Sequence, residues 1–300
     1  SRHHHHRALL DKRIVGGRAA DDPHPFFCSM FRPPDDRWIG CGGALIGTRH
    51  VLTAAHCTEA SLNPARYAWK VNAYCGRNDP TENCGHESDY VTVDQLHRYP
   101  GYKSAQEGND LVVMRLSEPT DIEYVRPDDG TVSAYLDEQS ENGERSSLLA
   151  MGFGKTSNIR NSFSDTVHEV DLFYVDNDLC NGAYSLPILP NMLCSGDVAG
   201  ADTCNGDSGG PIIYESPKVP GSSVPQRRTV VGVVSFGSAM CATGVPAVNA
   251  RVGHEDHYSW IEGIICSEEN NEDWPDWCPG YMEPEEKKDG GGESVSHPPP

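Results

Sequence analysis

The chain has 300 residues, of which 37% are hydrophobic and 23% charged. That is the balance of a soluble globular protein with room for one large core or two ordinary ones. A formal net charge of -20 argues against nucleic acid, whose phosphates select lysine and arginine, and leaves basic protein partners electrostatically favoured. No apolar run approaches the roughly 18 residues that a membrane span requires; even TVVGVVSFGSAM is short and broken by glycine and serine.

In chain order, the first 13 residues, SRHHHHRALLDKR, carry the run His3 to His6. An unstructured histidine run offers no fixed ligand geometry and reads as a purification remnant rather than a metal site. With neither an initiator methionine nor an apolar signal core at the start, any secretory signal is expected to have been removed or left out. Strand-like runs then recur, punctuated by glycine and proline: FFCSM, WIGCGGALIG, YAWKVNAYCG, DYVTVDQL and LVVMRL. The polar stretch VRPDDGTVSAYLDEQSENGER is poor in strand formers and separates these from a second group: SLLAMGFG, VHEVDLFYV, PIIYE, TVVGVVSFG and AVNARV.

This pattern predicts an all-β fold of two β-barrels joined by a linker. Helices are expected only at the periphery, near DNDLCNGA and at HEDHYSWIEGIIC, where Tyr258, Ile261 and Ile265 fall at helical spacing. The proline-rich insert ESPKVPGSSVPQRR is expected to loop out between two strands. The segment after Cys266 is acidic, then rich in glycine and proline, and is predicted to lack a packed core.

Eleven cysteines without a CxxC pair fit disulfides formed in an oxidising compartment better than zinc or redox sites, which predicts a secreted protein. No Asn-x-Ser/Thr triplet occurs, so no N-linked glycan is expected.

The chemistry is concentrated in three separated pieces. CNGDSGGP (204 to 211) sets Ser208 among glycines that let the backbone approach a substrate and turn N–H groups toward a developing oxyanion. A serine hydroxyl is a weak nucleophile and needs a base within reach, itself held in the right tautomer. LTAAHC supplies His56 at a strand end, and NDLVVMRL opens an apolar strand with Asp110. Singly, these have bland readings as a core histidine, a turn cap and a turn residue. Together, with IVGG at 14 to 17, they resemble the chymotrypsin and trypsin family of serine endopeptidases, from about Ile14 to about Ile264.

The resemblance implies two antiparallel six-stranded β-barrels with a C-terminal helix, the chymotrypsin-like fold. The divisions implied are a propeptide (1–13), a first barrel (14–127), a second barrel with helix (128–266) and a tail (267–300). It implies His56 as general base and then acid, Asp110 as its orienter and Ser208 as the nucleophile, with Gly206 and Ser208 supplying the oxyanion N–H groups. Cleavage after Arg13 would free an ammonium on Ile14 to pair with Asp207, making the uncut chain a zymogen. Asp202 stands where trypsin-like members place the carboxylate at the base of the specificity pocket, which implies cleavage after arginine and lysine.

Pocket walls are implied at Ser235, Phe236, Gly237 and Ala247. Ala247 replaces the family's glycine and Asn249 its tyrosine, and a methyl at 247 narrows the pocket. Glu107 falls beside the adjoining subsites. The family pairs Cys41 with Cys57, Cys180 with Cys194 and Cys204 with Cys241. Cys75 with Cys84 and Cys266 with Cys278 would close local loops outside its common pattern, leaving Cys28 as a small buried thiol. The carboxylates from Asp79 to Glu87 do not match the family's calcium loop residue by residue, so no metal or cofactor is assigned. The partners implied are protein or peptide substrates and protein inhibitors, acting on a monomer. Ala247, Asn249 and the acidic tail motivate an alternative, a catalytically weak homologue that binds other proteins.

Overall fold

The computed structural model describes residues 15–82, 84–158, 162–196, 200–217, 227–267 and 274–281. Two closed barrels form. The first contains β2 (Phe27–Arg32), β3 (Arg37–Gly47), β4 (His50–Thr53), β5 (Ala68–Val71), β6 (Asp89–Arg98) and β7 (Val112–Leu116), in the order β2-β3-β4-β7-β6-β5. β2 pairs β5 antiparallel and so closes the ring.

The second barrel contains β9 (Ser147–Gly152), β10 (His168–Val175), β11 (Met192–Gly196), β12 (Pro211–Glu215), β13 (Arg228–Phe236) and β14 (Ala247–Arg251). Its order is β10-β11-β14-β13-β12-β9, closed by the β9–β10 pairing. Two short strands are accessory: β1 (Arg18–Ala19) adds to β10, and β8 (Arg126–Pro127) pairs parallel with β13.

Closing small barrels requires strong strand curvature, and glycine supplies it where strands crowd. A Cβ at Gly43 in β3 would lie 2.7 Å from Val51 Cγ1 and 2.9 Å from the Trp69 ring. The first core packs Phe27, Met30, Leu45, Leu52, Trp69 and Met114, all essentially without exposure. The second holds Leu148, Leu172, Leu193 and Ile212. Phe27 meets Phe153, just past β9, with ring centroids 5.8 Å apart, so the two cores touch.

Among the described residues three α-helices lie at the periphery. Two fall where sequence periodicity places them: α2 (Asn177–Asn181) and α3 (Glu255–Ile265). α3 buries His257, Ile261 and Ile265. It reaches back to the first barrel, where Tyr99 meets His257 and Trp260 edge to face. The linker differs from expectation, because residues Thr131–Glu141 form helix α1. Its inward face is small, Ser133 and Leu136, so little periodic signal exists. Buried Asp128 supports its first turn, accepting from Gly130 N, Val132 N, Ser133 N and Ser133 Oγ at 2.7 to 3.1 Å. Strand β11 also goes beyond the sequence pattern, being a brief run beside a turn.

The expectation of no packed core after residue 266 needs correction at 274–281. Trp277 Nε1 donates to Ile46 O at 2.7 Å, and Tyr124 Oη both accepts from Asp276 N and donates to Asp276 Oδ1. Arg126 pairs with Asp276, and Cys266 bonds Cys278. Two tryptophans and a disulfide outweigh the acidic composition of this stretch locally. The rest of the tail, the segment 1–13 and most of the 215–228 insert lie outside the described residues.

Replacing Gly43 by alanine forces Val51 and Trp69 apart. It is expected to cost about 1–3 kcal/mol of stability, read from urea denaturation midpoints.

Candidate active site

The site lies where strand ends of both barrels converge. His56 sits in the 3-10 turn Ala55–Thr58 that follows β4. The Cys41–Cys57 disulfide ties this turn to β3, and Cys57 Sγ lies 3.8 Å from His56 Nε2. Asp110 precedes β7 and is 1% exposed. A buried carboxylate persists as an anion only with donors around it, and three are aimed at it. His56 N donates to Oδ1 at 2.8 Å, His56 Nδ1–H to Oδ2 at 2.8 Å and Ser235 Oγ–H to Oδ2 at 2.5 Å. Holding the proton on Nδ1 leaves the Nε2 lone pair free to act as a base.

Burial works against an imidazolium here. The Asp110 hydrogen bond and charge, helped by Glu59, outweigh it and raise the His56 pKa above its ordinary value.

Ser208 occupies a tight turn between the Cys204–Cys241 disulfide and β12. Its carbonyl accepts from Gly42 N at 2.8 Å, and Gly209 N donates to Val234 O at 2.8 Å. Gly209 has φ +74, and a Cβ there would lie 2.2 Å from Thr53 Oγ1 and 3.2 Å from Ala54 N. Only glycine permits this approach, which packs the serine turn onto the segment leading into His56. Gly206 has φ +102 and sits against Gly154 and Phe163.

Asp207 points the other way, into the second barrel. It is 1% exposed and accepts from Gly154 N (2.8 Å) and Cys204 N (2.9 Å). Cβ atoms at Gly152 or Gly154 would collide with its carboxylate. Burial pushes its pKa up to about 7, against the two N–H donors. The expected partner Ile14, and Arg13, lie outside the described residues. The next segment is placed: Val15 O accepts from Asp202 N at 3.0 Å, and Gly16 packs on Gly200 and Ala201.

Asp202 is 5% exposed. Its Oδ2 accepts from Ala242 N at 3.0 Å, while Oδ1 has no partner among the described residues. Burial raises its pKa to about 6, opposed by the Ala242 and Thr203 N–H groups. A buried carboxylate oxygen without a donor is a receptor for a cation.

Around it the structure brings residues that sequence reasoning did not single out. Tyr184 donates to Pro246 O at 2.5 Å and stands edge-on to Phe236, with centroids 5.8 Å apart. Asn158 clasps Cys241 through both its backbone groups at 2.8 and 2.9 Å. Ala242 adopts φ +60, which turns its N–H onto Asp202. No local motif marks these three, since each acts across a loop-to-loop contact.

Ala247 is buried and pairs with Ser195, and a Cβ built on Gly237 would lie 3.8 Å from its methyl. Asn249 is fully buried and donates to Leu193 O and Ser195 Oγ, both at 3.0 Å, so its amide serves the barrel interior. Ser235, expected only as a backbone wall, also delivers its hydroxyl to Asp110. Glu107 lies in an exposed 3-10 turn and pairs with Lys103 at 3.7 Å.

All five expected disulfides form, and Cys28 is a buried free thiol whose pKa burial raises. The loop closed by Cys75–Cys84 holds the Lys70 ammonium, which donates to Cys75 O at 2.9 Å and to Glu82 O. That places a protein cation among the carboxylates from Asp79 onward.

The Trypsin family model matches residues 14–261. The chain belongs to the trypsin family.

A CLIP domain-containing serine protease B15 of Anopheles gambiae is 32% identical over 281 residues, covering 87% of this chain and 71% of that protein. Phenoloxidase-activating factor 3 of Holotrichia diomphalia is 30% identical, covering 84% and 72%. A trypsin of Saccharopolyspora erythraea is 32% identical, covering 80% and 93%. Among solved structures, neuropsin of mouse brain superposes with a TM-score of 0.64 at 24% identity, covering 84% of this chain and 99% of that one, which bears on the fold. As a trypsin-family serine endopeptidase, the protein acts on proteins or peptides. Among the described residues no helix is long and apolar enough to cross a membrane.

The His56 imidazole is expected to titrate above the ordinary value of about 6.5 in an NMR pH series. Glu59→Gln, which removes one of the raising charges, is expected to lower that midpoint by a few tenths of a unit.

Proposed function

We propose that the protein is a secreted zymogen which, once cut between Arg13 and Ile14, hydrolyses peptide bonds after arginine and lysine. The observation that carries this reading is the pairing of an oriented His56–Asp110 couple with a buried, half-partnered Asp202.

In this reading a substrate strand pairs with the backbone around Ser235 to Gly237, and its cationic side chain enters beside Asp202. His56 Nε2 takes the proton of Ser208 Oγ as that oxygen attacks the scissile carbonyl carbon. The carbonyl becomes an oxyanion held by the N–H groups of Gly206 and Ser208, and Asp110 stabilises the imidazolium. His56 then protonates the leaving amine, and water repeats the sequence on the acyl-enzyme.

The buried carboxylate of Asp207 supports the zymogen step. With its pKa raised to about 7, it is more basic in the folded chain than in the unfolded one. Its contribution to stability is therefore lost as pH rises from the ordinary carboxylate range toward 7. An ammonium freed on Ile14 would compensate that charge. The five disulfides support an oxidising, extracellular setting.

After cutting, an arginyl phosphonate is expected to add covalently to Ser208, seen as a mass shift on the peptide containing it. Arg13→Ala, left uncut, is expected to stay unlabelled. Full labelling of that uncut variant would refute the switch, and no labelling of the cut chain would favour a non-catalytic binding module.

The Ala247 methyl makes the pocket narrower than a glycine would. Ala247→Gly is expected to raise kcat/KM and to shift the arginine-to-lysine ratio by roughly tenfold, in line with one methyl group in a specificity pocket. Paired arginine and lysine substrates measure this, and unchanged rates and ratio would reject it.

A further inference from the structure

Beside Gly206, two loops and the start of β3 are joined by one cation–aromatic stack. Arg77 lies in the loop closed by Cys75–Cys84. Its guanidinium carbon sits 5.0 Å from the Trp38 ring centroid and 5.4 Å from that of Phe163. The two rings meet edge to face at 5.2 Å. The same guanidinium donates from Nε to Ser164 O at 2.9 Å and from Nη2 to Asp165 Oδ1 at 3.2 Å. Its side chain is only 16% exposed, so the stack is shielded and worth more than a surface contact.

The Phe163 ring forms one wall of Gly206. A Cβ on Gly206 would be 3.0 Å from Phe163 Cε1 and 3.0 Å from Gly154 Cα. Backbone contacts run the same way: Phe163 bridges Lys155, whose N–H donates to Asn205 O at 2.9 Å. The Gly206 peptide is therefore confined from one side by a ring that Trp38 and Arg77 hold in place. Without that wall a glycine at φ +102 has other conformations within reach, several of which turn its N–H away.

We propose that Arg77 and Phe163 are positioning residues for the hydrolytic reaction. Arg77 clamps Phe163, and Phe163 keeps the Gly206 N–H aimed at the oxyanion. This rests on the assignment of Gly206 as an oxyanion donor in the function proposed above. A donor displaced from the developing charge loses stabilisation in the transition state while ground-state binding is spared. The clamp thus acts on kcat, and it links the disulfide loop to the catalytic rate.

The test uses the full chain cut after Arg13, as wild type, Arg77→Ala, Arg77→Lys, Phe163→Ala and the Arg77→Ala/Phe163→Ala double variant. Phe163→Leu stands in if Phe163→Ala does not fold. The substrate is an arginyl p-nitroanilide, whose one group beyond the cut bond is the same p-nitroaniline in every assay. Active sites are counted with a phosphonate, so that rates refer to folded molecules. Each single alanine variant is expected to lower kcat about tenfold, part of the 100-fold or more that an oxyanion donor supplies, with KM within twofold. The double variant is expected to be no worse than the singles, and Arg77→Lys to recover part of the loss.

Benzamidine, which probes the Asp202 pocket, is expected to bind unchanged. A peptide boronate, whose tetrahedral adduct places an oxygen in the oxyanion position, should weaken by the same factor as kcat. Unchanged kcat, additive losses, or equal weakening of benzamidine and boronate would overturn the clamp while leaving the protease reading intact. A wild type without a titratable Ser208 would overturn both.

Discussion

The structure turns on one buried carboxylate. Asp110 belongs to the first barrel and holds two donors from the His56 turn, but its third donor is the hydroxyl of Ser235 at the end of β13 in the second barrel. An anion at 1% exposure is tolerable only when such donors are present, and these come from both halves of the chain. The carboxylate therefore fixes the imidazole tautomer and the seam between the barrels at once. Other contacts across that seam reinforce it. Gly42 donates to the Ser208 carbonyl, Thr53 and Ala54 crowd Gly209, and Phe27 meets Phe153.

Two buried carboxylates of the second half, Asp202 and Asp207, differ from Asp110 in being short of donors. Asp202 has one oxygen without a partner among the described residues, and Asp207 has backbone N–H donors but, among the described residues, no cationic partner. Burial raises both pKa values, to about 6 and about 7. Elsewhere the buried charged groups have partners: Arg251 pairs with Asp137, Glu169 with Arg18, and Lys70 donates to a loop carbonyl. The contrast singles out Asp202 and Asp207 as groups awaiting a positive charge, one from a substrate and one from the chain itself in the proposed mechanism.

Around this centre the peripheral elements act as braces. α3 reaches from the second half to Tyr99 in the first, and the 274–281 segment returns through Trp277 to Ile46 and through Asp276 to Tyr124 and Arg126. The linker is stiffened by α1 and its buried Asp128 cap. Each brace spans the two barrels or the connection between them, so each restrains the same seam that Asp110 depends on.

Much of this was legible in the residues. Short apolar runs bounded by glycine and proline marked most barrel strands, because many of these strands are buried along nearly their whole length. The glycines around Ser208 marked a turn that no larger residue can make. Three features were not legible: the α1 helix, whose buried face is only two residues wide, the packing of 274–281, and the use of Ser235 Oγ by Asp110. Nor did any local pattern mark Tyr184, Asn158, Ala242 or the Arg77–Phe163 stack. By itself the sequence determined which side chains are chemically able to form the site and in which kind of scaffold, since side-chain type and local periodicity are properties of neighbouring residues. Which donors meet each buried charge, and which oxygen is left waiting, was decided only by tertiary structure, because those partners come from loops far apart in the chain and are selected by the desolvation that packing imposes.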